Sequence, residues 1–221
     1  MVRLLSISKS FEGGSGRDRV LDQVSLDLVR GETTSLVGAS GSGKTTLLGL
    51  IAGLLLPDCG RVEFDGVEMS SLHESARARL RSRRLGVVLQ NGNLIPFLTA
   101  SEHIQMAIKL GGGSQKPVAA ARRLLSELGV LHRASHLPRH LSGGEAQRVA
   151  LAMALAHEPD VLLADEMTGE LDSSTADKVM DLVFRESSER GLTVLFVTHS
   201  VALASRAQNR AVLTAGRVQP A

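Results

Sequence analysis

The chain has 221 residues, 43% of them apolar and 22% charged, with a formal net charge of +2. That length allows one sizeable core, or a core with a small appended lobe, and the charge is too slight to argue for nucleic acid. The single Cys59 excludes an internal disulfide and any multi-cysteine metal site and fits a reducing compartment, while five Phe and no Trp or Tyr leave the core to Leu, Val, Ile and Ala.

The longest apolar run, 47–56, contains two glycines and stops at Pro57, well short of the ~20 residues of a spanning helix. The N-terminus has no apolar stretch long enough for a signal peptide. The expectation is a soluble, cytoplasmic chain.

Residues 2–11 and 20–29 read as two strands separated by a polar, glycine-rich link at 12–18. Val20, Val24, Leu26 and Leu28 mostly alternate with polar neighbours, the pattern of a half-buried strand. An apolar strand at 34–37 then runs into Gly38, Ala39, Ser40, Gly41, Ser42, Gly43, Lys44 and Thr45, followed by Thr46 and an apolar helix start to 52. Strand, glycine-rich turn and helix in that order make G-x-x-x-x-G-K-[ST] a phosphate cradle. Glycines let backbone N–H groups curl around an oxyanion, and the helix N-terminus adds unpaired donors. Lys44 supplies a point charge for the β- and γ-phosphates and Thr45 a hydroxyl for Mg²⁺.

Residues 57–60 form a turn and 61–66 a short strand. The helix-like stretch 73–84 carries Arg77, Arg79, Arg81, Arg83 and Arg84. Five arginines with no apolar face make a poor membrane anchor, so a solvated connecting helix is expected. Residues 85–89 are a buried-type strand with Gln90 at its end. The stretches 99–110, 117–129 and 143–156 look helical, broken at 111–114 and near Pro138, which makes a helical insertion at about 92–156. A strand at 161–164, a helix at 173–190, a strand at 193–197 and a hairpin at 210–218 complete the chain.

Strands alternating with helices imply a parallel sheet with ligands off the carboxyl ends of its strands. Lys44, Gln90, Asp165, Glu166 and His199 all follow predicted strand ends, so five polar residues from scattered positions converge on one edge. Asp165 is placed to hold Mg²⁺, directly or through water, and Glu166 to accept a proton from an attacking water. The run LSGGE at 141–145 opens another helix: Ser142 is a good N-cap and Glu145 completes a capping box. The exposed N–H groups of that turn can equally take a phosphate.

The phosphate loop, the strand-end Gln90, LSGGE-x-QR, the apolar strand into Asp165 and Glu166, the Leu171–Asp172 pair and the His199 that ends V-T-H, in this order, resemble the nucleotide-binding domain of ATP-binding-cassette (ABC) proteins across essentially the whole chain. The resemblance implies an α/β P-loop NTPase fold in one domain over 1–221, with a mostly parallel central sheet, an N-terminal antiparallel β subdomain and an inserted helical subdomain. It implies that Phe11 stacks on adenine, that Gln90 senses Mg²⁺ and the attacking water, and that His199 contacts the γ-phosphate. Ser142, Gly143, Gly144 and Glu145 would meet ATP held by a second copy, and Asp172 would lie in the loop at the dimer seam.

Two departures stand out: Met167 replaces a usual proline, and Glu170 stands where a small or amide residue is common. The run 94–102, the insertion after Phe11 and the segment 80–86 look most like the lipoprotein-release, macrolide-export and antimicrobial-peptide-resistance branch. The implied protein is a homodimeric ATPase that uses ATP and Mg²⁺, works through a separate transmembrane permease at the inner face of the membrane, and binds no nucleic acid. The rival readings are a soluble cassette ATPase of DNA repair or translation, and a nucleotide sensor with weak turnover.

Overall fold

The computed structural model describes residues 1–13, 16–90, 93–113 and 116–220. Gly14 and Ser15 of the polar link, Gly92 at the start of the expected insertion and Ser114 of the glycine break lie outside them.

The elements run β1 (Val2–Gly13), β2 (Gly16–Leu28), β3 (Thr33–Val37), α1 (Lys44–Ile51), β4 (Cys59–Phe64), β5 (Val67–Glu68), α2 (Glu74–Arg84), β6 (Leu85–Val88), α3 (Ala100–Gly111) and α4 (Pro117–Glu127). Then follow α5 (Gly143–Leu155), β7 (Val161–Asp165), α6 (Ser173–Arg190), β8 (Thr193–Val197), α7 (Val201–Ala204), β9 (Asn209–Thr214) and β10 (Arg217–Pro220). A four-stranded antiparallel sheet has the order β2-β1-β4-β5, and a six-stranded sheet the order β10-β9-β3-β8-β7-β6. In the larger sheet every pair is parallel except β9 with β10. No helix among the described residues is long and apolar enough to cross a membrane.

The central strands are apolar throughout because the sheet is covered on both faces. In β7, Leu162 and Ala164 join one core cluster while Val161 and Leu163 join the other. In β8, Val194 and Phe196 face the first cluster and Leu195 and Val197 the second. The first cluster is filled from α3, α4, α5 and α6, where Phe184 meets Phe196 edge-on at 6.1 Å. The second is filled from α1 and the antiparallel sheet. Buried side chains of this size each contribute roughly 1.5–3 kcal/mol, so the two-sided burial outweighs any surface pairing.

The structure corrects or extends the sequence reading at several places. The first two strands run on to Gly13 and from Gly16, through most of the polar link. α1 begins at Lys44, so the lysine is its first residue. The C-terminal hairpin forms as β9 and β10, and β9 in addition pairs in parallel with β3 and extends the main sheet. Arg79 and Arg83 of α2 are exposed as expected, but its other three arginines are structural rather than merely solvated. Arg77 is buried, bonded to Glu74 and the Leu72 carbonyl, and Arg81 donates to the Gly53 carbonyl. Arg84 bonds Asp65 of the β4–β5 turn and Asp160 before β7, over the Phe64 ring, and so ties the two sheets together. Nothing in a helical-period pattern shows where such long side chains end.

Between β6 and α3, His103 fixes the approach of the chain. Its Nδ1–H donates to the Thr99 carbonyl (2.8 Å) and its Nε2 accepts from the Ile95 N–H (2.7 Å), which only the neutral ring can do. Burial pushes the pKa of His103 down, and that of His157 likewise. Stability is therefore fully present above the ordinary histidine value of about 6.5 and is lost as pH falls through the lowered folded values. The urea midpoint is expected to decline from about pH 6.5 to about pH 5, above the range in which carboxylates titrate. In His103→Asn, which can donate and accept but does not titrate, that decline should be shallower.

Candidate active site

The phosphate loop leaves the C-terminal end of β3 and closes into α1 at Gly43. Gly43 has φ 101°, and a Cβ there would lie 2.9 Å from Val20 Cγ1 of β2. A glycine is required both by the left-handed backbone and by the close approach of the antiparallel sheet. Lys44 is buried and folds over its own loop, its Nζ donating to the carbonyls of Gly38 (2.9 Å) and Ala39 (2.8 Å). Ala39, Ser40 and Gly41 form the exposed rim, Thr46 is half-buried, and the buried Ser42 Oγ has no partner within the chain. An amine held only by carbonyls and an orphaned hydroxyl are groups an anion would satisfy.

Thr45 Oγ1 donates to Asp165 Oδ2 at 2.5 Å, joining α1 to the end of β7. Asp165 is only 2% exposed. Among the described residues no cluster of three or more His, Cys, Asp or Glu could cage a metal. A site for Mg²⁺ beside phosphates needs no such cage, since one or two protein oxygens suffice.

The next residue, Glu166, has φ 52°, a left-handed conformation rare for a residue with a side chain. Its Oε1 lies 2.7 Å from His199 Nε2, which follows β8, and its Oε2 lies 3.5 Å from Gln90 Nε2, which follows β6. The structure thus brings Lys44, Thr45, Asp165, Glu166, Gln90 and His199 to one sheet edge. Gln90 turns toward Glu166 and not toward the Thr45–Asp165 pair. Phe11 is 40% exposed on β1, opposite Asp18, with Lys9 Nζ 5.5 Å from its ring centroid.

At the start of α5 the capping box is complete: Ser142 Oγ accepts from the Glu145 N–H and Glu145 Oε2 accepts from the Ser142 N–H at 2.9 Å. Glu145 Oε1 also accepts from Arg133 Nε at 2.8 Å, and this bond first, with the Ser142 amide, lowers its pKa to about 2. Glu145, expected among the nucleotide contacts, therefore turns its carboxylate into its own chain. A Cβ on Gly143 would strike the Glu170 carboxylate, so that acid lies directly against the turn. Asp172 caps α6, and bonds from the Thr175 side chain first, then from Ser174 Oγ and the Thr175 N–H, hold its carboxyl well below the usual range. Met167 is 2% exposed and fills the core where a proline was expected.

Sequence reasoning missed two features. Arg133 lies outside any motif, and only the fold puts it against Glu145. An apolar groove of about 350 Å³ gathers Leu54, Leu85, Val87, Leu89, Met106 and Leu110 from distant segments. The apolar residues at 94–98 do not form one surface: Leu94 packs against the core and Phe97 is 76% exposed.

A glycine-rich cradle with a buried lysine, a hydroxyl–carboxylate pair and a carboxylate–imidazole pair on one parallel-sheet edge defines a P-loop nucleotide hydrolase. Residues 21–169 match the protein family described as ABC transporter. The Escherichia coli protein YbbA, an uncharacterised ABC transporter ATP-binding protein, is 44% identical over 99% of this chain and 96% of its own length. The lipoprotein-releasing system ATP-binding protein LolD of Geobacter metallireducens is 42% identical over 99% and 97%. The dimeric structure of the bacterial ABC transporter cassette MJ0796 superposes with a TM-score of 0.96, at 35% identity, covering 99% of this chain and 97% of that one. The same cassette is known in a post-hydrolysis state with ADP and Pi. The chain belongs to the ABC transporter family, as an ATP-binding and ATP-hydrolysing subunit.

Lys44→Ala is expected to weaken ATP binding on the order of 10²-fold, through loss of charge-assisted bonds of about 1.5–3 kcal/mol each. Its unfolding temperature should stay near the parent's, because Nζ holds nothing but its own loop. Nucleotide titration and thermal unfolding on one sample check both.

Proposed function

We propose that two copies of this chain close on two ATP molecules and hydrolyse them to drive a separate membrane-spanning partner, with the chain held at the inner face of the membrane by that partner. The observation that carries the reading is the pairing of Thr45 with Asp165 and of Glu166 with His199 on adjacent strand ends. Thr45 and Asp165 would hold Mg²⁺, and Gln90, which turns toward Glu166, would have to swing toward that pair to join them. When bound, that ion would neutralise charge on the phosphate oxygens. Lys44 and the loop amides from Gly38 to Thr46 hold the β- and γ-phosphates, and Phe11 offers a face to the adenine.

Glu166 takes the proton of the attacking water at its carboxylate, and His199 holds that carboxylate and reaches the γ-phosphate. Ser142, Gly143 and Gly144 meet the γ-phosphate of ATP held by the other copy, in a turn kept in shape by Glu145. Asp172 lies at the seam between the copies. The dimeric MJ0796 cassette supports this assembly. The LolD relatives, named for lipoprotein release, support extraction or export of lipoprotein, while peptide or drug-like substrates rest only on the resemblance of the segments 80–86 and 94–102 to that branch.

For the partner, the groove bounded by Leu54, Val87, Met106 and Leu110 fits the apolar face of a cytoplasmic helix, and Phe97 stands exposed nearby in sequence. Leu54→Asp with Leu110→Asp is expected to leave ATP binding intact and abolish copurification with the membrane partner. Retained copurification would move the docking surface elsewhere.

Glu166→Gln keeps size and hydrogen bonding but lacks the base, so hydrolysis should fall about 10²–10⁴-fold while ATP still binds. Light scattering should then show a monomer-to-dimer shift in ATP but not in ADP, abolished by adding Ser142→Arg. Parental turnover in Glu166→Gln excludes Glu166 as base. A variant that binds ATP yet stays monomeric counts against the sandwich.

A further inference from the structure

Gln147 lies on α5, five residues beyond Ser142, and its amide faces the segment that follows β7. Its Nε2 donates to the Glu166 carbonyl at 2.5 Å, and its Oε1 accepts from the Glu170 N–H at 3.3 Å. Both partners are main-chain groups of fixed polarity, so the amide can sit only one way round. A primary amide offers a donor and an acceptor side by side; an ionised carboxylate has no donor, and a thioether has neither a donor nor a strong acceptor.

The residue so held is the one in the left-handed conformation. Non-glycine residues keep such backbones where several contacts over-determine them. At Glu166 these are its N–H to the Val197 carbonyl (3.2 Å), the Gly169 N–H to its carbonyl (3.0 Å) and the bond from Gln147. The first two belong to the same sheet edge and its own turn. The third comes from another element.

We propose that Gln147 is a positioning residue that fixes the left-handed backbone of Glu166, so that the helix whose N-terminus meets the opposing nucleotide aims its own chain's base. The inference rests on Glu166 being that base. Ser142 and Gln147 are separated by about 7.5 Å along one rigid helix, so any shift of α5 when the turn 142–145 meets a phosphate reaches Glu166 through one hydrogen-bonded side chain. Hydrolysis at one site thereby depends on occupancy of the other.

The test uses the full chain and steady-state ATP hydrolysis. Gln147→Met keeps length without the two bonds, and is expected to lower kcat about 10–10²-fold, the effect of a base displaced by about 1 Å, with ATP affinity near the parent's. Gln147→Glu separates positioning from packing. At about pH 8.5 its carboxylate faces the Glu166 carbonyl and the rate should match that of Gln147→Met. On acidification the protonated acid regains both bonds, its O–H donating to the Glu166 carbonyl and its C=O accepting from the Glu170 N–H. The variant-to-parent rate ratio should then rise with the fraction protonated towards about pH 5.5, by no more than the deficit of about 10–10²-fold from which it starts. The titrating and charged groups around this point, Glu145, Arg148, Glu166, Glu170 and His199, are shared with the parent, so the ratio isolates position 147.

A Gln147→Met kcat within about threefold of the parent, or a pH-independent ratio for Gln147→Glu, overturns the proposal. If Gln147→Met fails to fold, the Gln147→Glu ratio alone decides. Glu166→Gln serves as the control: parental turnover there removes the base assignment and this inference with it, whereas an inactive Glu166→Gln beside unaffected Gln147 variants removes this inference only.

Discussion

The adjacency of β3, β8 and β7 is the constraint on which the site depends. These strands are hydrogen-bonded in that order and in parallel. They stay together because both faces are sealed by apolar clusters, one beneath the helices and one beneath the antiparallel sheet. Parallel strands end on the same side, so the phosphate loop, the Asp165–Glu166 corner and the His199 turn emerge within hydrogen-bond reach of one another. No side chain in the site has to bring its neighbour there; the sheet has already done so.

Charged side chains act mainly at joints between these layers. Arg84 spans from the β4–β5 turn to the start of β7, and Arg206 reaches from beyond α7 to Asp177 and Asp181 on α6 while lying over Phe184. Partly exposed pairs of this kind contribute little energy each. They set the angle at which one layer meets the next, which burial, having no direction, cannot do. Glu145 illustrates the same use inside the site: with Arg133 and the Ser142 amide it shapes a turn whose glycines are left bare.

The corner at Glu166 concentrates the opposite property. Its backbone sits in a sparsely populated conformation held from three directions, and such positions can change state when one support moves. The segment just beyond it presses Glu170 onto Gly143. Glu166 and the glycine turn of α5 are thus in mechanical contact within one chain, through Gln147 on one side and Glu170 on the other.

Much of this was legible in the residues themselves. The phosphate loop, the apolar strand into Asp165 and Glu166, and the capping box at Ser142 are local, because each needs a fixed spacing of glycines, donors or carboxylates within one turn of chain. Apolar runs bounded by turn residues located nearly all strands and helices, and the strand-end rule foretold that Lys44, Gln90, Asp165, Glu166 and His199 would meet. Tertiary structure alone decided the rest. The ends of Arg77, Arg81 and Arg84, the inward turn of Glu145, the attachment of β9 beside β3, the groove behind Leu89 and the grip of Gln147 on Glu166 all join segments far apart in sequence. Such contacts depend on crossing angles and side-chain reach, which no spacing along a chain records.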